Sequence, residues 1–217
     1  MRRVFVDPGA PQRDAIEEAA AWIHRGGLVA IPTDTLYGLA ADPFSADAVA
    51  RIFAVKGRGA DRALPLIAAD ISQATAHLGP LSDAAAHLAE RYWPGPLTLL
   101  MPAPRALASE VHGGTGKVGV RVPHDAVAQA ICRAVGSPIT ATSANISGER
   151  ATADPAEVER VLGGRIDLLI DVGPTPGGAP STIVDATVTP PILVRAGAIQ
   201  WDEIRTWLDS ARTAHRE

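Results

Sequence analysis

Apolar and polar positions along this chain fall into short blocks, and each change of pattern marks an element. Residues 11–25, PQRDAIEEAAAWIHR, read as a helix with acids early, Arg late and Gly26-Gly27 as its stop. The apolar run LVAI at 28–31 predicts a strand. Ser45 stands where an N-cap belongs, ahead of a helix that runs through Val55 and ends at Gly57. LPLIAA predicts another strand, followed by helices near 70–77 and 82–92, the second halted by WPGP at 93–96. LTLLMP, VGVRVP, PITAT, DLLI, STIVDA and ILVRAG then supply short strands, with helices near 125–135, 154–162 and 201–213. The gap between STIVDA and PILVR is short enough for a hairpin, which points to a mixed sheet. No repeat of 20–50 residues and no long linker is present. The expectation is one α/β domain over residues 1–217: a twisted mixed parallel/antiparallel sheet flanked by helices. Its core spans about 12–200 and a C-terminal helix about 201–213.

Bulk properties narrow the function classes. The 217 residues are 47% hydrophobic and 20% charged, enough for one core without staples. A formal charge of −4 argues against a strongly basic nucleic-acid binder. Cys132 is the only cysteine, so neither a disulfide framework nor a cysteine zinc site is available, and it lies in an apolar helical stretch that suits plain packing. The six histidines are scattered without ligand spacing, and no metal site is expected. With no signal peptide and no membrane span, the expected compartment is the cytoplasm. Lys56 and Lys117 are the only lysines among 20 basic residues. In so Arg-rich a chain, a lysine hints at a spot that suits a compact ammonium better than a planar fork.

Two tempting motifs fail. Gly114-Thr115-Gly116-Lys117-Val118-Gly119 spells a dinucleotide fingerprint, but a strand follows it where a helix must open. GTGK lacks both the earlier glycine of a phosphate loop and the Ser or Thr that would hold Mg²⁺. No G-x-S-x-G elbow anchors a hydrolase triad.

Four polar clusters sit instead at the edges of apolar elements. In AIPTDTLYGLAAD a buried-looking strand stops in Thr33-Asp34-Thr35, where a plain connector needs φ-permissive residues and no hydroxyl pair. VKGRGADR brings Lys56, Arg58 and Arg62 just past a helix end. TATSANISG carries Thr142, Ser143 and Asn145, and STIVD with LVRAG adds Ser181, Thr182 and Arg195. Each has a structural reading: a cap, a solvated surface, a turn or a strand-end ion pair. Together, small hydroxyls and cations at strand ends describe a pocket for a nucleotide plus a small polar acid.

PTDTLYGLAAD, Lys56-Gly57-Arg58, WPGPLTLLM, VGVRVP, TSANISG and STIVD with ILVRAG occur in this order over roughly residues 12–200. In this the chain resembles the threonylcarbamoyl-AMP synthase (YrdC-type) family, in its single-domain form. The resemblance implies a nucleotidyltransferase that joins L-threonine, bicarbonate or CO₂ and ATP into threonylcarbamoyl-AMP and pyrophosphate. The product would feed threonylcarbamoyladenosine modification of tRNA through a downstream transfer machinery, with at most a weak tRNA contact of its own. Carried over residue by residue, it implies Thr35, Arg121 and Ser181 on the L-threonine side. Lys56, Arg58, Ser143, Asn145 and Arg195 fall on the ATP side, Lys56 and Arg58 being catalytic, and Mg²⁺ arrives with ATP. Gly59 departs from the family's usual proline after K-x-R. Two rival readings stand beside this one: a carbamoyl-adenylate-forming domain fed by carbamoyl phosphate, and a non-catalytic RNA-binding module using the 51–62 basic cluster.

Overall fold

A computed structural model gives the fold. It describes the chain except residues 58, 60, 61 and 215–217, with backbone only over 211–214. In chain order the elements are β1 (Arg2–Phe5), α1 (Arg13–His24), β2 (Val29–Ile31), β3 (Gly38–Ala40), α2 (Ala46–Lys56) and β4 (Leu66–Ile67). Next come α3 (Ile71–Leu78), α4 (Asp83–Tyr92), β5 (Leu97–Pro102), a 3₁₀ turn (Ser109–His112), β6 (Lys117–Arg121), α5 (Ala126–Val135) and β7 (Ile139–Thr140). The chain continues through β8 (Thr142–Ser143), α6 (Pro155–Leu162), β9 (Leu168–Asp171), β10 (Thr182–Asp185), β11 (Ile192–Arg195) and α7 (Trp201–Ala214).

The expected helices are all present. Ser45 caps α2 by accepting the Ala48 N–H, and Gly57 closes that helix at φ 62°. The strands are mixed, as expected, but they divide between two sheets. One runs β1-β9-β2-β3-β8, the other β11-β10-β5-β6-β4-β7. STIVD and ILVR do form an antiparallel pair. The short strands β1, β3 and β8 are additions, since two to four residues carry too little periodicity to declare themselves.

The sheets meet where the chain crosses from one to the other. β7 belongs to the second sheet and β8 to the first, with Ala141 alone between them. Thr140, fully buried, stitches the junction: its hydroxyl accepts from the Ala41 N–H at 2.9 Å and donates to the Leu39 carbonyl at 3.2 Å.

Two apolar cores pack against the sheets. One gathers α1, α5, Val29, Ile31, Leu168 and Ile170, with Cys132 buried inside it. Burial there pushes the Cys132 thiol well above its ordinary range, as befits a packing residue. The other joins Ala30 and Leu39 to α2, α4 and the strand residues Leu97, Leu99, Val118, Val120 and Val184. Because side chains alternate along a strand, sending Leu97, Leu99, Val118 and Val120 inward turns Thr98, Leu100, Gly119 and Arg121 to the opposite face. That second face lines a cleft.

Candidate active site

The cleft encloses about 1020 Å³ between the two sheets. Thr35, Arg121, Ser143, Ser181 and Arg195, drawn from widely spaced parts of the sequence, all line it.

The 32–37 segment is, after all, a turn. It links β2 to β3 in antiparallel register, Ile31 opposite Gly38. The Thr33 side chain closes this turn in place of a glycine. Its hydroxyl donates to the Leu36 carbonyl at 2.7 Å and accepts from the Thr35 N–H at 3.2 Å. With that proton committed, the Thr35 hydroxyl is the donor in the 3.1 Å contact between the two threonines, which leaves its lone pairs toward the cleft. The Thr35 carbonyl is clamped from the far side by the Thr175 hydroxyl (2.9 Å) and the Gly177 N–H (2.7 Å). Tyr37 anchors the end of the turn. Fully buried, it donates through its hydroxyl to the Gly173 carbonyl and accepts from the Val172 N–H. Burial pushes that hydroxyl up to about 12. Its backbone meets Thr152 and Ala144, so one residue registers three loops around the cleft.

Arg121 extends from the end of β6 and is 8% exposed. Its Nη1 donates to Asp34 Oδ1 at 2.5 Å. Asp125, the N-cap of α5, stands close enough to feel both charges. Burial holds its carboxyl above the usual carboxylate range, and Asp34 adds to the shift while Arg121 opposes it.

Ser181 and Arg195 form a second corner. Arg195 Nη2 donates to the Ser181 carbonyl at 2.7 Å and to its hydroxyl at 3.2 Å, and that hydroxyl contacts Thr98 Oγ1 at 2.8 Å. Burial lowers the Arg195 guanidinium from its ordinary value, and the like charge of Arg121 lowers it further. The two cations therefore face one cavity.

Lys56 and Asn145 occupy a different level. Neither is among the described residues that line the cleft. Lys56, 2% exposed at the end of α2, donates through Nζ to the Ser143 carbonyl (2.6 Å), the Asn145 carbonyl (3.0 Å) and Asn145 Oδ1 (3.2 Å). Asn145 Oδ1 also accepts from the Ser143 hydroxyl at 2.5 Å, and its Nδ2 donates to the Glu149 carbonyl at 2.6 Å. Lys56 and Asn145 thus brace the loop from which Ser143 faces the cleft. The Arg58 expectation lies outside the described residues.

Several lining residues carried no signal in the sequence. Gly119 is one: a Cβ there would stand 2.9 Å from the Thr98 methyl, so its lack of a side chain keeps the floor of the cleft clear. Thr98 and Arg150 are others. Thr98 was hidden in an apolar strand, and Arg150 was an ordinary charge in a polar loop. Lys117 turns out to hold the strands together. Its Nζ meets Asp185 Oδ2 at 2.6 Å, and with Thr187 it outweighs burial to keep that carboxyl below the usual range.

The profile named Sua5/yciO/yrdC, described as telomere recombination, matches residues 21–197. The threonylcarbamoyl-AMP synthase of Pyrococcus abyssi is 38% identical over 205 residues, covering 92% of this chain and 60% of that relative. The threonylcarbamoyl-AMP synthase of Bacillus subtilis is 40% identical over 190 residues, covering 87% of this chain and 55% of the relative. The chain thus spans less than two thirds of the length of either. The crystal structure of P. abyssi Sua5 complexed with L-threonine superposes with a TM-score of 0.90 at 37% identity, covering 95% of this chain and 61% of that one.

Proposed function

The chain belongs to the Sua5/YciO/YrdC family, and we propose that within it the protein acts as an L-threonylcarbamoyladenylate synthase. One observation carries this reading: Arg121 and Arg195, two guanidiniums from different strands, open onto a single cleft lined by the hydroxyls of Thr35, Ser143 and Ser181. Such a cleft suits a small amino acid at one end and a nucleotide polyphosphate at the other. The superposition on a relative complexed with L-threonine supports the amino-acid end.

The threonine carboxylate would sit on Arg121, with Thr35 and Ser181 offering hydroxyls to its polar atoms. Its neutral amine attacks CO₂, forming a C–N bond and, on losing a proton, a carbamate. A carbamate oxygen then attacks the α-phosphorus of ATP, and the bond to the β,γ-pyrophosphate breaks as the new P–O bond forms. The chain itself supplies positioning and charge neutralisation. Arg195 and Ser143 would face the phosphates, Lys56 and Asn145 would hold Ser143 in place, and Arg58 follows Lys56 in the motif. Mg²⁺ enters as part of the ATP substrate. The unstable mixed anhydride would pass to the enzymes that threonylcarbamoylate tRNA.

Pyrophosphate release from ATP and bicarbonate, with and without L-threonine, tests this reading in wild type and Arg121→Gln. Release is expected to require threonine and to fall at least about tenfold in kcat/KM for threonine in the variant. Release that ignores threonine, or that requires carbamoyl phosphate, would refute it.

A further inference from the structure

Asp34 has no part in the chemistry above, yet it makes the shortest ion pair near the cleft. Its Oδ1 lies 2.5 Å from Arg121 Nη1, and the two side chains are 12% and 9% exposed. Arg121 lines the cleft and Asp34 does not. The carboxylate thus engages, through Nη1, a guanidinium that itself borders the cavity. Two other guanidiniums line the same cavity, Arg150 and Arg195. Neither has a carboxylate partner among the described residues. The cleft thus holds one cation in a direct ion pair and two without one, and the carboxylates of Asp154 and Glu157 also lie along its wall, Glu157 being paired with Arg160.

Resting on the synthase reading, we propose that Asp34 makes Arg121 a site for a carboxylate and not for a phosphate. A half-desolvated guanidinium without a counter-charge attracts anions by net charge, and a phosphate or pyrophosphate gains more from it than a carboxylate does. Asp34 cancels that advantage. The pair still offers directed N–H donors, but every incoming anion also meets Asp34's repulsion, which grows with the charge it carries. A zwitterionic amino acid, whose ammonium offsets its carboxylate, is penalised least. The polyphosphate is left to Arg195 and Arg150, neither of which is held in a direct ion pair among the described residues. Asp34 also adds to the upward shift of the neighbouring Asp125 carboxyl. Asp34 is accordingly a positioning and specificity residue acting through Arg121, without touching the reacting atoms.

The test is calorimetric titration of the full chain with L-threonine, with and without millimolar inorganic pyrophosphate, for wild type, Asp34→Asn and Asp34→Glu. Asn keeps the shape and removes the charge, whereas Glu keeps the charge. In the wild type, pyrophosphate should shift the threonine Kd less than about twofold. In Asp34→Asn it should raise that Kd about tenfold, competitively, and Asp34→Glu should return most of the tolerance. Thermal melting of each variant reports its folding separately. An Asp34→Asn protein as indifferent to pyrophosphate as wild type would overturn the proposal. So would an equal loss in both variants without pyrophosphate dependence, the mark of a merely structural side chain. If the wild type binds no threonine, the synthase reading falls too. Binding with an indifferent Asp34→Asn removes only this inference.

Discussion

At the scale of single residues, Lys56 shows how shape decides what charge alone does not. Three oxygens converge on its Nζ within 2.6–3.2 Å, and an ammonium carries three donors around one point. A guanidinium spreads its donors over a plane and cannot meet that geometry. This agrees with the rarity of lysine in a chain that uses Arg at 18 of its 20 basic positions. Lys56→Arg keeps the charge and is nonetheless expected to destabilise the fold by about 2 kcal/mol, because the buried carbonyls of the 143–145 loop lose their donor. The freed loop should also raise KM for ATP several-fold. Thermal unfolding and steady-state kinetics check the two effects, and a variant that matches wild type in both would remove Lys56 from its bracing role.

Among the elements, the helix starts were the most legible. Ser45, Asp70, Ser82, Asp125 and Asp154 each accept a backbone N–H of the first helical turn. Such local bonds depend on neighbours in sequence, so sequence suffices to see them. One cap has a second relationship that only the fold creates. The Asp125 carboxyl is raised by burial and by Asp34, so the folded state holds its proton more tightly than the unfolded state does. Its contribution to stability is therefore fully present below the unfolded value of about 3.9 and is lost as pH rises through the raised folded value. Asp125→Asn preserves a good cap and removes the charge. At pH 7 it should stabilise the protein by about 1 kcal/mol, or roughly 3 °C in Tm. The difference between the two proteins should close as pH falls below that unfolded value. Melting curves from pH 3 to 8 (the span on either side of that ~3.9) would show it, and a constant or inverted difference would contradict the assignment. The strands were less legible than the helices. β3 follows its partner β2 after a turn without Asn-Gly or Asp-Gly, and β8 is two residues long, so both become strands only through the neighbours they pair with.

Over the whole molecule, the cleft lies between two sheets that a short crossing joins. Thr140 is central to that crossing, as it bonds Ala41 and Leu39 of one sheet from a strand of the other. Thr140→Val removes the hydroxyl at nearly constant volume and leaves the buried Ala41 N–H without its side-chain acceptor. The expected cost is about 2 kcal/mol in urea unfolding. A weaker kcat/KM for both substrates should accompany it, since Thr35 and Arg121 belong to opposite sheets. Loss of stability with unchanged kinetics would mean that the cleft does not depend on this junction.

By itself the sequence determined whatever depends on near neighbours and on order. The helix limits, the inward alternation of Val118 and Val120 against Gly119 and Arg121, and the succession of motifs that marks the family are all of this kind. The tertiary structure alone decided which polar groups share a cavity and which support it from beneath. Asp34 meets Arg121 across 87 positions, and Lys56 meets Ser143 across 87. Periodicity cannot report such a pairing, because its energy depends on a distance in space that local pattern does not encode.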